Sequence, residues 1–418
     1  MHHKRIFLII VLVLTLACTL PGPAQAIRGI PNSATFGYGA RLDMWGDDIY
    51  TAVELASGMN LDWLAIDVDW ARLWPTLDQQ ADFSPLDRVL QAARQKGISV
   101  LLSLNHAPDW AITPNGPEPN FTNALLQSIL NVYSDVIQAV ELFPGVNSYT
   151  RWGATPNPDA YLTMLHTVQQ GCNASGRTIY LVTTLEPLPL VPGAADGSLD
   201  APAYLERLYN LGGSVDMPIV GIRYPFVTGA PMTESSDLYP IVLRHYESIR
   251  AVMLKYQHTR GMIWVTGFSW PVSGTHNPAD PLALPATPAH QAQWVNQALQ
   301  LLRAQLFIGT AFFDAIIRES TAQSLPILSQ PGGSIHPASV TISKFAGGNV
   351  SSTAWTAPQM PMELKTATST PASGVAPLTT FTATLTTGAR DLAGNPLLNN
   401  FSWSFTTGAA PDTTAPTV

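Results

Sequence analysis

The sequence predicts a (β/α)8 barrel followed by a small all-β domain. Eight short apolar runs alternate with amphipathic segments between residues 35 and 315. Continuous apolar runs are typical of strands that are buried on both faces of a parallel sheet. After residue 320 the composition changes to Ser, Thr, Ala, Pro and Gly, with few charges. A chain of 418 residues is long enough for a barrel of about 250 residues and a further domain.

The eight apolar runs are expected to be the barrel strands. They are Thr35–Gly39, Trp63–Val68, Ser99–Leu104, Ala139–Phe143, Thr178–Thr184, Ile219–Arg223, Met262–Thr266 and Ile308–Phe313. Eight strands that alternate with helices indicate a closed barrel. The alternative is a doubly wound open sheet. That fold requires a glycine-rich phosphate loop after the first strand, and Gly37-Tyr38-Gly39-Ala40 is a poor match.

The segments between the runs carry helix signatures. Ser84 and Pro85 are a typical N-cap and first helical residue, and Gly97 is a typical helix end. The apolar residues between them recur at helical spacing, as Leu86, Val89, Leu90 and Ala93. Further helices are expected to begin after Asn157-Pro158 and Thr287-Pro288.

Two stretches near the C-terminus alternate apolar and hydroxyl residues with the period of half-buried antiparallel strands. The apolar positions are Phe381, Ala383 and Leu385 in the first stretch, and Phe401, Trp403 and Phe405 in the second. Turn-forming residues 391–396 lie between them. The segment resembles the bacterial Ig-like domain of surface-layer and other secreted proteins over roughly residues 334–408, although the usual first strands are not evident. Residues 409–418 are expected to be a linker or the start of a further repeat.

Residues 1–26 are interpreted as a secretory signal peptide. Lys4 and Arg5 precede a short apolar run over residues 6–17, and Ala24-Gln25-Ala26 is a cleavage site of the A-x-A type. The barrel domain is then expected over residues 27–320, in a protein that is secreted or held on the extracellular surface. The alternative is lipoprotein processing at Cys18. No later segment is long and apolar enough to predict a membrane span.

Composition and motifs exclude several classes of function. The net charge is −8, and an acidic chain with few lysines is a poor candidate for binding nucleic acid or anionic membranes. The sequence has no His-Glu-x-x-His, no paired Cys-x-x-Cys and no nucleotide-phosphate loop, so we expect no metal and no cofactor. Cys172 is the last cysteine, and it is interpreted as a small buried residue rather than a nucleophile.

The barrel sequence resembles the large clan of retaining glycoside hydrolases, which carry an acid/base glutamate after strand 4 and a nucleophilic glutamate after strand 7. The resemblance runs through most of residues 35–315. It depends on the order and spacing of residues 63–70, 107–111, 140–143 with Asn147 and Trp152-Gly153, 263–266, and Gln291-Ala292. It implies an active site at the C-terminal ends of the strands and a carbohydrate partner.

Both glutamates that the resemblance implies are missing. The acid/base position is Gly145, the nucleophile position is Gly267, and the arginine that strand 2 usually carries is replaced by Ala65. Retaining hydrolysis needs two carboxyl groups about 5–5.5 Å apart. No Asp or Glu lies within three residues of either glycine. We therefore expect a non-catalytic barrel in which no carboxylate pair flanks the gap between the glycines.

Three carboxylates at other strand ends are candidates for a relocated catalytic pair, namely Asp69, Glu186 and Asp314. The alternative for each is a hydrogen-bonded carboxylate of the barrel rim. Glu141 lies four residues before Gly145. This separation is about 13 Å along a strand, which places Glu141 too deep to reach the mouth.

Aromatic and polar residues at the strand ends are suited to sugar binding. Tryptophan rings pack on the apolar faces of sugars, and polar side chains bind the hydroxyl groups. The candidates are Trp70, Asn105, His106, Trp110, Asn147, Trp152, Arg223 and Trp270. A mouth closed by its own loops, with these tryptophans buried, would instead favour a structural role.

Three functions are therefore compatible with the sequence. The first is a non-catalytic, secreted barrel that binds carbohydrate or a cell-surface glycan, or serves as a cell-surface module. The second is an active glycosidase that hydrolyses O-glycosidic bonds with relocated carboxylates. The third is a purely structural surface protein.

Overall fold

The first domain is a closed barrel of eight parallel strands, which confirms the predicted (β/α)8 architecture. The computed structural model describes residues 30–45, 49–174, 176, 178–189, 195–236, 239–314, 335–350, 378–388 and 400–406. The expected signal peptide, Cys18, the predicted turn at residues 391–396 and residues 409–418 lie outside the described residues.

All eight predicted strands are present, and each pairs in parallel with its two neighbours. They are β1 Gly37–Asp43, β2 Trp63–Asp69, β3 Ser99–Asn105, β4 Ile137–Leu142, β5 Tyr180–Leu185, β6 Ile219–Arg223, β7 Met262–Phe268 and β8 Ile308–Phe313. β8 pairs with β1 and closes the barrel.

The largest difference from the prediction concerns β1, which continues four residues beyond the expected end at Gly39. Its start is displaced because the Asn32 side chain accepts hydrogen bonds from two backbone N–H groups and caps a 3₁₀ turn at Ser33–Thr35. The continuation carries Arg41 into the barrel, where its side chain is buried.

The strands are connected by helices that pack around the barrel. The described helices are α1 Ile49–Gly58, α2 Trp70–Leu73, α3 Ser84–Lys96, α4 Pro119–Tyr133, α5 Tyr149–Trp152, α6 Pro158–Ala174, α7 Ala201–Asn210, α8 Tyr246–Lys255, α9 Pro288–Arg303 and α10 Pro337–Ala346. The predicted end of α3 at Gly97 is present, with a left-handed backbone. Within the described part of the chain, no helix combines the length and apolar character needed to cross a bilayer.

The lower half of the barrel interior is filled by apolar side chains. Trp63, Trp264 and Phe312 are buried there, and their rings contact one another edge-on or tilted at 5.2–6.4 Å between centroids. Along β2 the inward positions continue from Ala65 to Asp67, because side chains alternate between the two faces of a strand. The apolar layers therefore end beneath a charged layer at the C-terminal mouth.

The chain divides into two compact units, residues 1–355 and 356–418. In the second unit β9, Thr380–Leu385, pairs antiparallel with β10, Phe401–Thr406, as the alternating pattern predicted. One face carries three cross-strand hydroxyl pairs, of which Thr382 with Ser404 is the central one at 2.8 Å. Helix α10 packs against α9 of the barrel. The first unit thus extends beyond residue 334, where the Ig-like segment was expected to begin.

His245 makes the stability of the first unit sensitive to acid. Burial lowers its pKa to about 4, and its Nδ1 lies 3.1 Å from Ser235 Oγ. Below pH about 6.5 the unfolded chain takes up a proton at this residue, whereas the folded protein does not until about pH 4. Stability is therefore complete above pH about 6.5. It falls by about 3 kcal/mol in total as the pH drops through the folded pKa.

We expect His245→Asn to reduce this pH dependence. The urea midpoint of the wild-type protein should fall between pH 7 and pH 4.5, and the fall should be smaller in the variant. His166→Asn removes an exposed histidine and should not reduce the fall. An equal fall in the urea midpoint between pH 7 and pH 4.5 for the wild type and His245→Asn would contradict the prediction.

Candidate functional site

The C-terminal mouth of the barrel contains a polar cavity of about 210 Å³. Four arginines and four aspartates contribute to its wall, together with an asparagine, a histidine and a tryptophan. The lining residues are Arg41, Asp43, Trp45, Asp67, Asp69, Arg72, Asn105, His106, Arg151, Arg223 and Asp314. Among the described residues, no three His, Cys, Asp or Glu side chains are grouped to hold a metal ion.

Asp67 on β2 is the centre of the deepest ion-pair network. Arg41 Nη2 donates to Asp67 Oδ1 at 2.5 Å, and Arg223 donates to both carboxylate oxygens at 3.2 and 3.0 Å. Burial acts to raise the pKa of Asp67, but the two guanidinium groups outweigh it and hold the pKa well below its usual range. Asp67 therefore remains ionised and fully engaged by the protein itself.

Arg41 extends the same network downward. Its Nη1 lies 2.8 Å from Glu141 Oε1, and its Nη2 also donates to Ser103 Oγ at 2.7 Å. Burial acts to lower the pKa of Arg41, yet Asp67 and Glu141 raise it above the ordinary value. Glu141 is fully buried and accepts a hydrogen bond from Thr184 Oγ1 at 2.7 Å. It is thus a member of this charged layer, below the cavity.

The resemblance expects an arginine at the position of Ala65 on β2, and the structure supplies one from the neighbouring strand β1. Ala65 is buried inside β2 as expected, but its register partner on β1 is Arg41. A Cβ added to Gly267 would lie 3.2 Å from Arg41 Cδ. The neighbouring strand β1 therefore places a guanidinium next to Gly267, at the height in the barrel where Ala65 provides none.

Gly145 occupies a backbone conformation that other residues rarely adopt. Its φ is +92°, and an added Cβ would lie 2.8 Å from Arg151 Cγ and 2.9 Å from Glu186 Oε2. Its N–H donates to Thr184 O at 2.9 Å, and its carbonyl accepts from Ser148 N at 2.8 Å. The backbone of the turn after β4 thus favours glycine, and a side chain at this position would have to displace the side chains of Arg151 and Glu186.

Gly267 is different, because its φ is not positive. An added Cβ would meet Arg223 Cγ at 3.1 Å, Arg41 Cδ at 3.2 Å and Asp314 Oδ2 at 3.4 Å. Two guanidinium side chains and one carboxylate therefore surround the position that the resemblance assigns to the nucleophile.

Two of the three carboxylates named as candidates for a relocated catalytic pair lie beside the two glycines, and the expectation that no carboxylate pair flanks the gap between these glycines stays a prediction. Glu186 lies directly after β5 beside Gly145, and Asp314 lies directly after β8 beside Gly267. Both residues are buried, with 8% and 5% of their surface exposed. Glu186 Oε2 is bound by Arg151 Nε at 3.0 Å. Each carboxylate lies beside a glycine because adjacent strands in a barrel bring their end residues together, which spacing within a single segment does not show.

Asp69, Asn105 and His106, which were candidates because they follow strands, all line the cavity. Asp69 Oδ1 accepts from the backbone N–H of Arg72 at 3.1 Å, and Asp69 Oδ2 lies 3.3 Å from His106 Nδ1. Burial acts to raise the pKa of Asp69, but the hydrogen bonds from His106 and Arg72 outweigh it and lower the pKa. Asn105 Nδ2 donates to Asp67 Oδ1 at 3.2 Å. These groups provide both acceptors and donors on the cavity wall.

The predicted aromatic platform is not present, because three of the four tryptophans are buried. Trp70, Trp152 and Trp270 have at most 1% of their surface exposed. Trp152 Nε1 donates to Asn115 O at 2.9 Å, and Trp270 Nε1 donates to Gly229 O at 2.8 Å. Both indoles therefore fix loops of the mouth instead of facing a ligand.

Trp110 and Asn147 are likewise placed away from the cavity wall. Trp110 is half-buried against Trp74 and Phe121, with ring centroids 4.8 and 5.4 Å away. Asn147 is fully buried, and its amide is hydrogen-bonded to the backbone of Glu186 and Leu199. Prediction from strand ends failed for both residues because loops fold back over the rim.

Sequence reasoning missed the aromatic residue that does line the cavity. Trp45 follows β1 and is half-buried, and the guanidinium of Arg72 lies over its ring, 4.1 Å from the centroid. The available signal was an indole two residues beyond the end of β1. It was overlooked because the first strand was predicted to end at Gly39.

Comparison with known proteins supports both parts of the fold. The family model described as a bacterial Ig-like domain matches residues 312–407, a span that begins in β8 and includes α10. No curated protein matches the chain.

The barrel is similar to solved structures of glycoside hydrolases. A family 39 glycoside hydrolase from Bacteroides cellulosilyticus WH2 superposes with a TM-score of 0.53 and 17% identity, over 74% of this chain and 63% of that one. A β-glycosidase, BGL167, gives a TM-score of 0.51 and 14% identity, over 77% of this chain and 98% of that one. The chain thus spans less than two thirds of the length of the first relative. At these identities the likeness establishes the glycoside hydrolase-like fold alone.

Proposed function

We propose that the chain is a secreted, non-catalytic barrel protein that binds carbohydrate in the cavity at its C-terminal mouth. The observation that carries the proposal is the backbone at Gly145, with φ +92° and with the Arg151 and Glu186 side chains below 3.0 Å from an added Cβ. In the retaining hydrolases that the barrel resembles, the acid/base carboxyl group stands at this position, and a second carboxyl group lies about 5–5.5 Å from it. The N-terminal segment and the Ig-like domain support an extracellular location.

The composition of the cavity supports carbohydrate as the ligand. Asp43 and Asp69 supply acceptors for hydroxyl groups, whereas Asn105 and Arg151 supply donors. Donors, acceptors and one aromatic ring in the same wall match the surface of a sugar, which has hydroxyl groups on its edges and apolar patches on its faces. We expect weak binding, with a Kd of about 10⁻³ to 10⁻⁵ M.

Asp43 offers a test of binding with a closely matched control. Asp43→Asn should weaken binding of a responsive glycan by about tenfold, because a charge-assisted hydrogen bond becomes a neutral one. Asp43 and Asp82 are both exposed, and each accepts a hydrogen bond at 2.9 Å from the backbone N–H two residues later. Asp82 lies outside the cavity lining, so Asp82→Asn should bind like the wild type. Calorimetric titration after a glycan screen measures both variants. Equal affinity in all three proteins would exclude this cavity as the site.

Glu186 and Asp314 give a second candidate function, hydrolysis of an O-glycosidic bond. Each carboxylate lies beside one of the two glycines, so the pair is favoured over Asp69 as a relocated acid and nucleophile. In that reaction one carboxyl group protonates the leaving oxygen, and the other attacks the anomeric carbon or activates water.

A turnover assay separates the two candidates. For the non-catalytic barrel we expect no hydrolysis of aryl glycosides above background, because positioned acid–base groups account for about 10²–10⁴-fold of such rates. Glu186→Gln and Asp314→Asn should leave that background unchanged. Hydrolysis that is lost in both variants, but retained in Asp82→Asn, would establish the relocated pair instead.

A further inference from the structure

Trp45 is the aromatic side chain of the cavity wall, and Arg72 covers it. Trp45 packs against the hydrophobic core, and the Arg72 guanidinium lies over its ring, 4.1 Å from the centroid. A sugar ring that stacked on Trp45 from the cavity would occupy the same position. Arg72 and such a ligand therefore compete for one surface.

The cover over Trp45 is weakly held. Arg72 is exposed, and its backbone N–H is bound by Asp69. Its guanidinium makes no hydrogen bond or close ion pair with another described residue, and Asp69 attracts it only at longer range. A cation over an exposed aromatic face is held only weakly, and Asp43 and Asp69 in the same wall offer carboxylates to a displaced guanidinium. A ligand can therefore displace the Arg72 guanidinium from the Trp45 ring at a small cost in free energy.

The charges around the cavity select among sugars. Four arginines and four aspartates line the wall, and two more carboxylates, Glu141 and Glu186, bind arginines of the wall from behind. Acidic groups thus exceed basic groups by two. An anionic sugar would experience net repulsion and would find most guanidinium groups already paired, whereas a neutral sugar would not.

We propose that the ligand of the cavity is a neutral sugar that stacks on Trp45 after displacing Arg72. The inference rests on the proposed function, because it identifies the ligand class and contact surface of the same cavity. Trp45 provides the stacking face, and the surrounding carboxylates accept hydrogen bonds from the sugar hydroxyl groups.

Binding measurements test the ligand class. Glucose, galactose and mannose are titrated beside their uronic acids, and at least one neutral sugar should bind more tightly than its acid. Trp45→Ala should abolish that binding. Arg72→Ala should tighten it by about three- to fivefold, since the competing cation is removed. Arg88→Ala, at an exposed arginine on α3, should change nothing.

Weaker binding in Arg72→Ala would show that Arg72 donates to the ligand, and preference for a uronic acid would show that the charge argument fails. Either result overturns the proposal.

A measurement without sugar tests the cover separately. Oxidative labelling of tryptophan, mapped by peptide mass spectrometry, should proceed several-fold faster at Trp45 in Arg72→Ala than in the wild type. Half-buried Trp74 serves as the internal control and should be unchanged. If Trp45 is labelled faster in Arg72→Ala but no sugar binds, the proposed function is refuted, while the shielding of Trp45 by Arg72 is confirmed. If labelling of Trp45 is unchanged but sugar binds normally, only the shielding of Trp45 by Arg72 is refuted.

Discussion

Replacing Arg41 with methionine is expected to lower the free energy of unfolding by about 3–5 kcal/mol. The substitution leaves the fully buried Glu141 without its arginine partner, and it removes one of the two arginines that bind Asp67. Methionine replaces the volume of the side chain but none of its hydrogen bonds, which also reach Ser103 Oγ and Thr266 O. The measurement is the urea midpoint at pH 7.

Arg94→Met is the matched control for this experiment. Arg94 also bonds a carboxylate, that of Asp135 at 2.5 Å, but both side chains are about one third to one half exposed. An exposed pair contributes about 0.2–1 kcal/mol, so this variant should unfold close to the wild type. Similar losses in the two variants would contradict the view that burial makes the Arg41 network essential.

The barrel could be predicted from the sequence because its strands are buried on both faces. Continuous apolar runs such as Ile219–Arg223 and Ile308–Phe313 have the predicted bounds. β1 was predicted less well because it is Gly-rich and carries an arginine that points into the barrel. A buried charge contradicts the apolar pattern, and only its partners on β2 and β4 explain it.

The candidate site could be predicted only in part. Asp69, Asn105, His106, Arg223 and Asp314 were identified from strand ends, and all five line the cavity. The tryptophans were assigned wrongly because a residue after a strand can turn either into the mouth or under a loop. Trp152 and Trp270 do the latter, and loop carbonyls accept their indole N–H groups. Hydrogen bonds between distant loops leave no periodic signal along the chain.

A further prediction compares Gly145 and Gly267, which differ in backbone conformation because only Gly145 has a positive φ. Gly145→Ala should cost about 3–5 kcal/mol, since a positive φ is strained for a residue with a Cβ and the new methyl group meets Arg151 and Glu186 below 3.0 Å. Gly267→Ala should cost about 1–2 kcal/mol, because its φ is ordinary and its nearest contacts are 3.1–3.4 Å away. Urea midpoints of both variants measure the difference.

The result for Gly145→Ala indicates whether a single substitution at this position could restore an acid/base glutamate. If Gly145→Ala is strongly destabilising, Gly145→Glu must be at least as costly, because the longer side chain passes through the same occupied space beside Arg151 and adds a charge next to Glu186. The turn after β4 would then have to change its backbone before an acid/base residue could return. If Gly145→Ala is tolerated as well as Gly267→Ala, the turn is compliant, and the proposal that this backbone excludes catalysis loses its physical basis.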